Sequence, residues 1–289
     1  MTAGKTAGSL AMTGAALRQI IRSHRRNPLL RGIASGCEKF LRAWYNENFW
    51  EQDRNGELFV LRTIAEWAGD RPLVVWDVGA HDGGWARTAG ANLPLAEIHS
   101  FEIVPAIADR LEAMAAGNPR HHVHRMGLSD QASEVEVVHV IGQETRSFVR
   151  PVGADGGNMA SLEDVGAGFQ ASIVRAPIAT MAEVAQRLPL PGFLKIDTEG
   201  HEAAVFQGGR ALFAGEQAPT IIQFEYGTTY LRFHAMLADV CAILEPAGYA
   251  IGRLYPDHVD FQRYHLGLEN FRMGNMIAVR DPDLRRRLA

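Results

Sequence analysis

Residues 74–85 read Val74-Val75-Trp76-Asp77-Val78-Gly79-Ala80-His81-Asp82-Gly83-Gly84-Trp85: a short apolar run, an acid, a glycine-bearing turn and the start of a helical period. In doubly wound α/β folds such a strand–turn–helix unit holds a nucleotide-like ligand, at the carboxyl edge of parallel strands and over the first amides of the helix. Gly79 permits a tight turn, and Gly83 is expected to let backbone pass close to the ligand. Behind the acid the glycines run G-x-x-x-G, not the G-x-G-x-x-G of dinucleotide sites. Without an obvious pyrophosphate cradle, the turn favours S-adenosylmethionine, which carries no phosphate.

Outward from this turn, short apolar runs alternate with helical periods, which implies parallel strands joined by right-handed crossovers. Strands are predicted near 73–79, 97–103, 121–127, 192–197, 219–226, 248–254 and 274–280. Helices are predicted near 57–69, 82–92, 105–116, 180–187, 201–213 and 231–246. Residues 134–141 alternate like a surface strand. The stretch after them, through Gly153, Gly156, Gly157, Gly166 and Gly168, reads as an irregular excursion; long loops at this edge often close over substrate.

Each strand end then offers chemistry. Asp77 can accept hydrogen bonds through the turn and orient the amino-acid end of the cofactor. Glu102 ends the second strand in His99-Ser100-Phe101-Glu102, where a carboxylate takes both ribose hydroxyls. NAD enzymes use the same acid, so the first turn decides between cofactors. Met126-Gly127-Leu128-Ser129-Asp130 follows the third strand where an adenine ring would lie; Ser129-Asp130 reads equally as a chain-reversing turn pair. The fourth strand delivers Lys195, Asp197, Glu199, His201 and Glu202 within eight residues, and the fifth ends at Glu225. Tyr226, Tyr230, Phe233 and His234 follow; they could stack on a sugar ring, and core packing accounts for at least half of them.

Three blocks together resemble the FkbM family of S-adenosylmethionine-dependent methyltransferases. They are Asp77-Val78-Gly79-Ala80-His81-Asp82-Gly83, Gly127-Leu128-Ser129-Asp130, and Leu194-Lys195-Ile196-Asp197-Thr198-Glu199-Gly200-His201-Glu202 followed by Gly208. His81 stands where such proteins usually have Asn, and Ala179-Thr180-Met181 lacks the Leu-Asp pair often seen before the fourth strand. The resemblance spans about residues 72–280. It implies a class I methyltransferase (Rossmann-like) fold, an α/β doubly wound, seven-stranded, mostly parallel sheet whose last strand is antiparallel, and O-methylation of sugars or polyketide-like products. The residues expected at the cofactor are Asp77, Gly79, Ala80, His81, Gly83, Glu102, Ile103, Leu128, Ser129, Asp130 and Asp197. An alcohol acceptor must lose its proton, so a base is sought; His201, Glu199 and Glu225 are the catalytic candidates.

No metal is assigned. Asp197 and Glu225 could share a divalent cation, but hydroxyl-rich ligands already account for strand-end carboxylates. His121, His122 and His124 read as strand-edge or surface histidines. A nicotinamide-dependent sugar oxidoreductase or epimerase would need a phosphate cradle and typically a Tyr-x-x-x-Lys pair, and this sequence shows neither; a non-catalytic cofactor-binding or docking subunit stays open as the alternative, with the intact Asp77, Gly79, Glu102 and Asp197 arguing against loss of the ligand site.

Composition sets the outer bounds. The 289 residues suffice for one large α/β domain with an appendage, and the net charge of −4 leaves no global field for nucleic acid. Cys37 and Cys241 match no metal spacing and suit a reducing compartment, so a cytoplasmic setting is expected. Residues 1–16 read as a flexible tail, 17–56 as an N-terminal helical cap of two helices broken near Asn27-Pro28, and 57–289 as the methyltransferase domain. Arg18, Arg22, His24, Arg25, Arg26 and Arg31 make the first helix basic, which suits a solvated surface, peripheral contact with an anionic membrane or an anionic acceptor. The apolar helix faces could also build a homodimer, and the acceptor is expected to be a small molecule or glycan.

Overall fold

The computed structural model describes residues 4–48, 51–142, 147–150 and 170–289. The glycine-rich stretch from Gly153 to Gly168 lies outside them. The chain divides into two compact units, residues 1–47 and 48–289.

The first unit is two helices, α1 (Gly4–Ser23) and α2 (Pro28–Trp44). The break falls where Asn27-Pro28 predicts it: Asn27 caps α2, its side chain accepting the Leu29 N–H at 2.9 Å, and Pro28 occupies the first turn. Residues 4–16, read from sequence as a tail, belong to α1; no proline interrupts them, and Ala, Leu and Met favour helix. In α2 the exposed Leu29, Ile33, Phe40 and Trp44 recur at helical spacing, and Phe40 stacks on Trp44.

The second unit opens with α3 (Glu57–Ala68) and alternates through β1 (Val74–Val78), α4 (Gly84–Asn92), β2 (Glu97–Phe101), α5 (Pro105–Ala115) and β3 (His121–His124). Next come β4 (Gly127–Ser129), β5 (Ser133–Ile141), β6 (Phe148–Val149), β7 (Gln170–Thr180) and the single turn α6 (Met181–Val184). Alternation resumes with β8 (Phe193–Ile196), α7 (Glu202–Gly208), α8 (Arg210–Phe213), β9 (Ile221–Tyr226), a 3-10 segment Thr228–Phe233 and α9 (Leu237–Leu244). The unit closes with β10 (Ala250–Leu254), β11 (Val259–Phe261), β12 (Gly274–Val279) and α10 (Pro282–Leu288).

All seven predicted strands form one sheet, ordered β11-β10-β12-β9-β8-β1-β2-β3. β12 runs antiparallel to both β9 and β10, as the resemblance implies. The sheet has eight strands rather than seven. Tyr255-Pro256-Asp257-His258 reverses the chain, the Tyr255 N–H donating to the His258 carbonyl, and β11 pairs back on β10 as an extra edge. A second sheet, β4-β7-β5-β6, occupies part of the expected excursion. Its long strand β7 pairs antiparallel along the whole of β5.

Both faces of the main sheet are covered, which is why its central strands read as nearly continuous apolar runs. Val75, Ile98, Phe193 and Ile277 pack under α3, α4 and α10. Trp76, Phe101, Leu194, Phe224 and Met276 pack under α6, α7 and α9 on the other face. The fully buried Trp76 also donates its indole N–H to the Pro189 carbonyl at 3.0 Å. β1 pairs with β2 on one side and β8 on the other, so the order of the chain reverses between β1 and β8. A ligand crevice belongs at the carboxyl end of that switch point, where Asp77 and Asp197 sit.

Candidate active site

The ends of β1 and β8 touch. A Cβ on Gly79 (φ 82°) would overlap the Asp197 carbonyl oxygen, and the Asp197 N–H donates to the Val78 carbonyl at 2.9 Å. The turn is laced equally tightly to β2. Gly79 and Ala80 N–H both donate to the Phe101 carbonyl at 3.0 Å, and the His81 N–H donates to Glu102 Oε2 at 2.9 Å. His81 holds a left-handed φ of 52°. Asparagine tolerates that region unusually well and histidine shares the tendency, so the departure from Asn at this position keeps the turn's geometry.

Two cavities meet at this turn. The first is lined by the apolar Phe101, Ile103, Leu128 and Phe148, with Glu102, Asp197 and Glu199 as its charged groups; no lysine or arginine lines it among the described residues. Carboxylates at this lining disfavour a pyrophosphate and suit a sulfonium bearing an ammonium, so the donor set fits S-adenosylmethionine. Glu102 is 5% exposed and takes the Val104 N–H on Oε1 at 2.8 Å. Backbone donors thus fix the carboxylate, and each oxygen keeps a further lone pair for a ribose hydroxyl. Burial raises its pKa, and the Val104 and His81 N–H groups pull it back.

The second cavity, about 650 Å³, shares Gly79, His81, Asp197 and Glu199 with the first. Its other walls include Gln52, Glu57, Lys195, Glu225, Thr228 and Arg232. A larger depression of about 970 Å³ lies around the first residues of β10 and the last of β12, at the opposite edge of the sheet from these strand ends.

A family model for the FkbM methyltransferase domain matches residues 77–251, from the acid of the first turn to the start of β10. The chain belongs to this family. It is 28% identical over 185 residues to the hexuronic acid methyltransferase AglP of Haloferax volcanii, covering 63% of this chain and 69% of that one. Among solved structures it is similar to the methyltransferase FkbM of Methylobacillus flagellatus, with 14% identity and a TM-score of 0.43, over 72% of this chain but only 43% of that one. It is also similar to the plantazolicin methyltransferase BpumL, with 10% identity and a TM-score of 0.41, over 91% of this chain and 95% of that one.

Within this FkbM-family frame the predicted residues part company. Gly79, His81, Glu102, Ile103, Leu128 and Asp197 line the first cavity, and Ala80 lines the second. Gly83, Ser129 and Asp130 line neither. Gly83 (φ 81°) is needed for packing: a Cβ there would overlap Met114 and Leu111 of α5. Ser129 donates to Asp130 Oδ1 at 3.0 Å, which favours the turn reading of that pair. Asp77 is fully buried beneath the turn, 3.6 Å from Lys195 Nζ, and does not reach the cofactor cavity.

Of the catalytic candidates, Glu225 lines the second cavity and Glu199 both. His201 lines only the cofactor side. Its Nε2 lies 2.8 Å from Ser129 Oγ, its Nδ1 is buried without a partner, and burial pushes its pKa down to about 4. It is therefore not placed as the acceptor's base. Glu202 Oε1 gathers the Thr198 N–H at 2.7 Å, the Thr198 hydroxyl at 3.0 Å and the Gly200 N–H at 3.3 Å, holding the loop that carries Glu199.

Sequence reasoning gave Lys195 no role and omitted Glu57. Burial alone would lower the Lys195 pKa, but Asp197, Asp77 and Glu57 together raise it above the ordinary value. Glu57 enters from the first turn of α3, fixed by Asn55 and by Gln223 Nε2 at 2.6 Å. A lone lysine inside an apolar strand was the readable signal; Glu57, far away in sequence, had none. Asp197, Glu202 and Glu225 each offer an oxygen within 4.8 Å of the others, close enough for a cation, although the Lys195 ammonium already stands 3.1 Å from Asp197 Oδ2.

Proposed function

We propose that this FkbM-family methyltransferase methylates a hydroxyl of a sugar, in a glycan or a glycosylated metabolite. S-adenosylmethionine is the methyl donor and supplies the electrophilic sulfonium methyl when bound. The observation that carries the reading is the second cavity: it adjoins the cofactor cavity and is walled by Glu57, Asp197, Glu199 and Glu225, acceptors suited to an array of hydroxyl donors. The relationship to a hexuronic acid methyltransferase supports a sugar, and Arg232 in the same wall suits a sugar carboxylate.

Glu225 takes the acceptor's proton. Its Oε2 has no hydrogen-bond partner and its side chain is 95% buried, being 5% exposed. Burial and the neighbouring Asp197, Glu199 and Glu202 charges raise its pKa well above the ordinary glutamate value, with Lys195 opposing, so its ionised form is a stronger base than a solvated glutamate carboxylate. Asp197 and Glu199, at the junction of the cavities, align the hydroxyl toward the methyl donor, and alignment is most of what such a displacement needs.

The test is Glu225→Gln assayed against a panel of sugar acceptors. We expect kcat to fall by about 10²–10⁴, the usual worth of a general base, with S-adenosylhomocysteine affinity unchanged. Unchanged kcat, or turnover only on acceptors without hydroxyls, would sink the reading.

The basic N-terminal unit supports contact with an anionic membrane surface. Residues 1–47 hold eight lysines and arginines against two glutamates, although the whole chain has a net charge of −4. α2 adds the exposed stripe of Leu29, Ile33, Phe40 and Trp44, and no helix of the described residues is long and apolar enough to cross a bilayer. A cationic helix with an aromatic apolar stripe lies in an interface rather than spanning it.

A further inference from the structure

Away from the active site, the other end of β2 brings together groups that the sequence keeps apart. His99 on β2 and His122 on β3 are register partners, so their side chains share one face of the sheet, and Glu97 precedes His99 by two residues on that face. Glu97 Oε1 stands 3.1 Å from His99 Nε2 and 3.4 Å from His122 Nε2, and all three atoms lie within 4.8 Å of one another. Zinc bonds of 2.0–2.2 Å to imidazole nitrogen and carboxylate oxygen place neighbouring ligands of a tetrahedron about 3.3–3.5 Å apart.

We propose that Glu97, His99 and His122 form a binding site for zinc or a similar divalent transition metal, with the fourth position open to solvent. Two imidazoles and one carboxylate are the donor set such ions prefer. The site is partly preformed. His99 is buried, and its other ring nitrogen, Nδ1, lies 3.0 Å from His124 Nε2. A second-sphere partner of this kind fixes the orientation and tautomer of a ligating ring. His122 and Glu97 are half exposed, with side chains 44% and 41% accessible, so the ion has a path from solvent. The location suggests what the ion does. β3 is a four-residue strand at the very edge of the main sheet, and the metal ties it to β2, whose end carries Glu102.

The experiment is calorimetric titration of the tag-free full chain with zinc, in a Cys37→Ser background because Cys37 is an exposed thiol. Cobalt substitution reports whether nitrogen ligands and a tetrahedral field are present. We expect one zinc per chain at micromolar affinity, a higher thermal midpoint with zinc present, and retention of both in Asp197→Asn, which alters the other cluster of candidate ligands. Affinity should drop beyond detection in His122→Ala, a surface change that leaves the fold intact, and by about tenfold or more in His124→Ala. Absence of stoichiometric zinc binding in the parent chain overturns the proposal, and so does affinity equal to the parent's in His122→Ala and Glu97→Gln.

Discussion

Lys195 and Asp77 form an ion pair sealed inside the sheet: the ammonium lies 3.6 Å from Asp77 Oδ1, with the side chains 5% and 0% exposed. The same ammonium reaches Asp197 at 3.1 Å, so one cation steadies the strand ends on both sides of the switch point. Removing one partner of a buried pair leaves an uncompensated charge. Lys195→Met is expected to destabilise the domain by about 3–5 kcal/mol near neutral pH. Urea unfolding should show the deficit shrinking in acid, as Asp77, whose pKa burial raises, binds a proton, and shrinking in the double variant with Asp77→Asn. A loss independent of pH and unrelieved by the second change would show that Lys195 acts by packing alone.

Glu202 offers a pH test with a defined sign. Burial, despite the Thr198 and Gly200 N–H groups, raises its pKa from 4.5 to about 7. The folded state therefore holds a proton that the unfolded chain releases; the stability this contributes is complete below pH 4.5 and is lost as pH rises through 7. Glu202→Gln keeps the Oε1 acceptor and cannot ionise. It should match the parent near pH 4.5 and exceed it by about 3 kcal/mol at pH 8, from 1.36 kcal/mol per pKa unit. Parallel stability curves for the two proteins between pH 4.5 and 8 would contradict this.

Glu102 is held by two backbone N–H groups, so replacing it with glutamine turns one accepting oxygen into an amide facing a donor. Hydrogen bonds to charged groups are worth about 1.5–3 kcal/mol. S-adenosylhomocysteine binding to Glu102→Gln, measured by calorimetry, should weaken by roughly 10- to 100-fold on that scale. The Gly83→Ala variant is a useful contrast: the α5 contacts of Gly83 predict lost thermal stability there before any specific loss of affinity.

Vesicle sedimentation checks the N-terminal unit. The full chain should pellet with phosphatidylserine vesicles and remain soluble with phosphatidylcholine alone, and the partition should fall with added salt. Each basic residue near an anionic surface is worth about 1 kcal/mol, so replacing Arg22, Arg25 and Arg26 together should weaken binding by about a hundredfold. Equal sedimentation with neutral and anionic lipid would refute an electrostatic contact.

The central sheet was legible because strands buried on both faces are predominantly apolar, as Val74–Val78 and Ile221–Tyr226 are apart from Asp77, Gln223 and Glu225. Seven strands, and a carboxylate at the end of the second, followed from that signal and from acid spacing. β7 was not legible: its first six residues, Gln170 to Arg175, are all exposed or half-buried, so no apolar run announces it. The site was legible as a set of strand ends, not as a division of labour. His201 has the right chemistry for a base, yet Ser129 lies against its outer nitrogen, and that contact joins residues 72 positions apart. Gly83 looked like a ligand contact because sequence cannot show α5 pressing on it. Glu57 acts on Lys195 only once α3 has docked beside β8.

The two cavities share a wall built from turn residues: Gly79 and His81 after β1, Asp197 and Glu199 after β8. The far side of the second cavity is supplied from elsewhere, by Gln52 before α3, by Thr228 and Arg232 after β9, and by Met273 before β12. On the proposed reading, donor grip and acceptor choice would be carried by different stretches of chain. On that reading, a change at Gln52, Thr228, Arg232 or Met273 is expected to alter which molecule is seated for methylation without loosening the hold on the methyl donor, so this scaffold would be redirected to new acceptors one wall at a time.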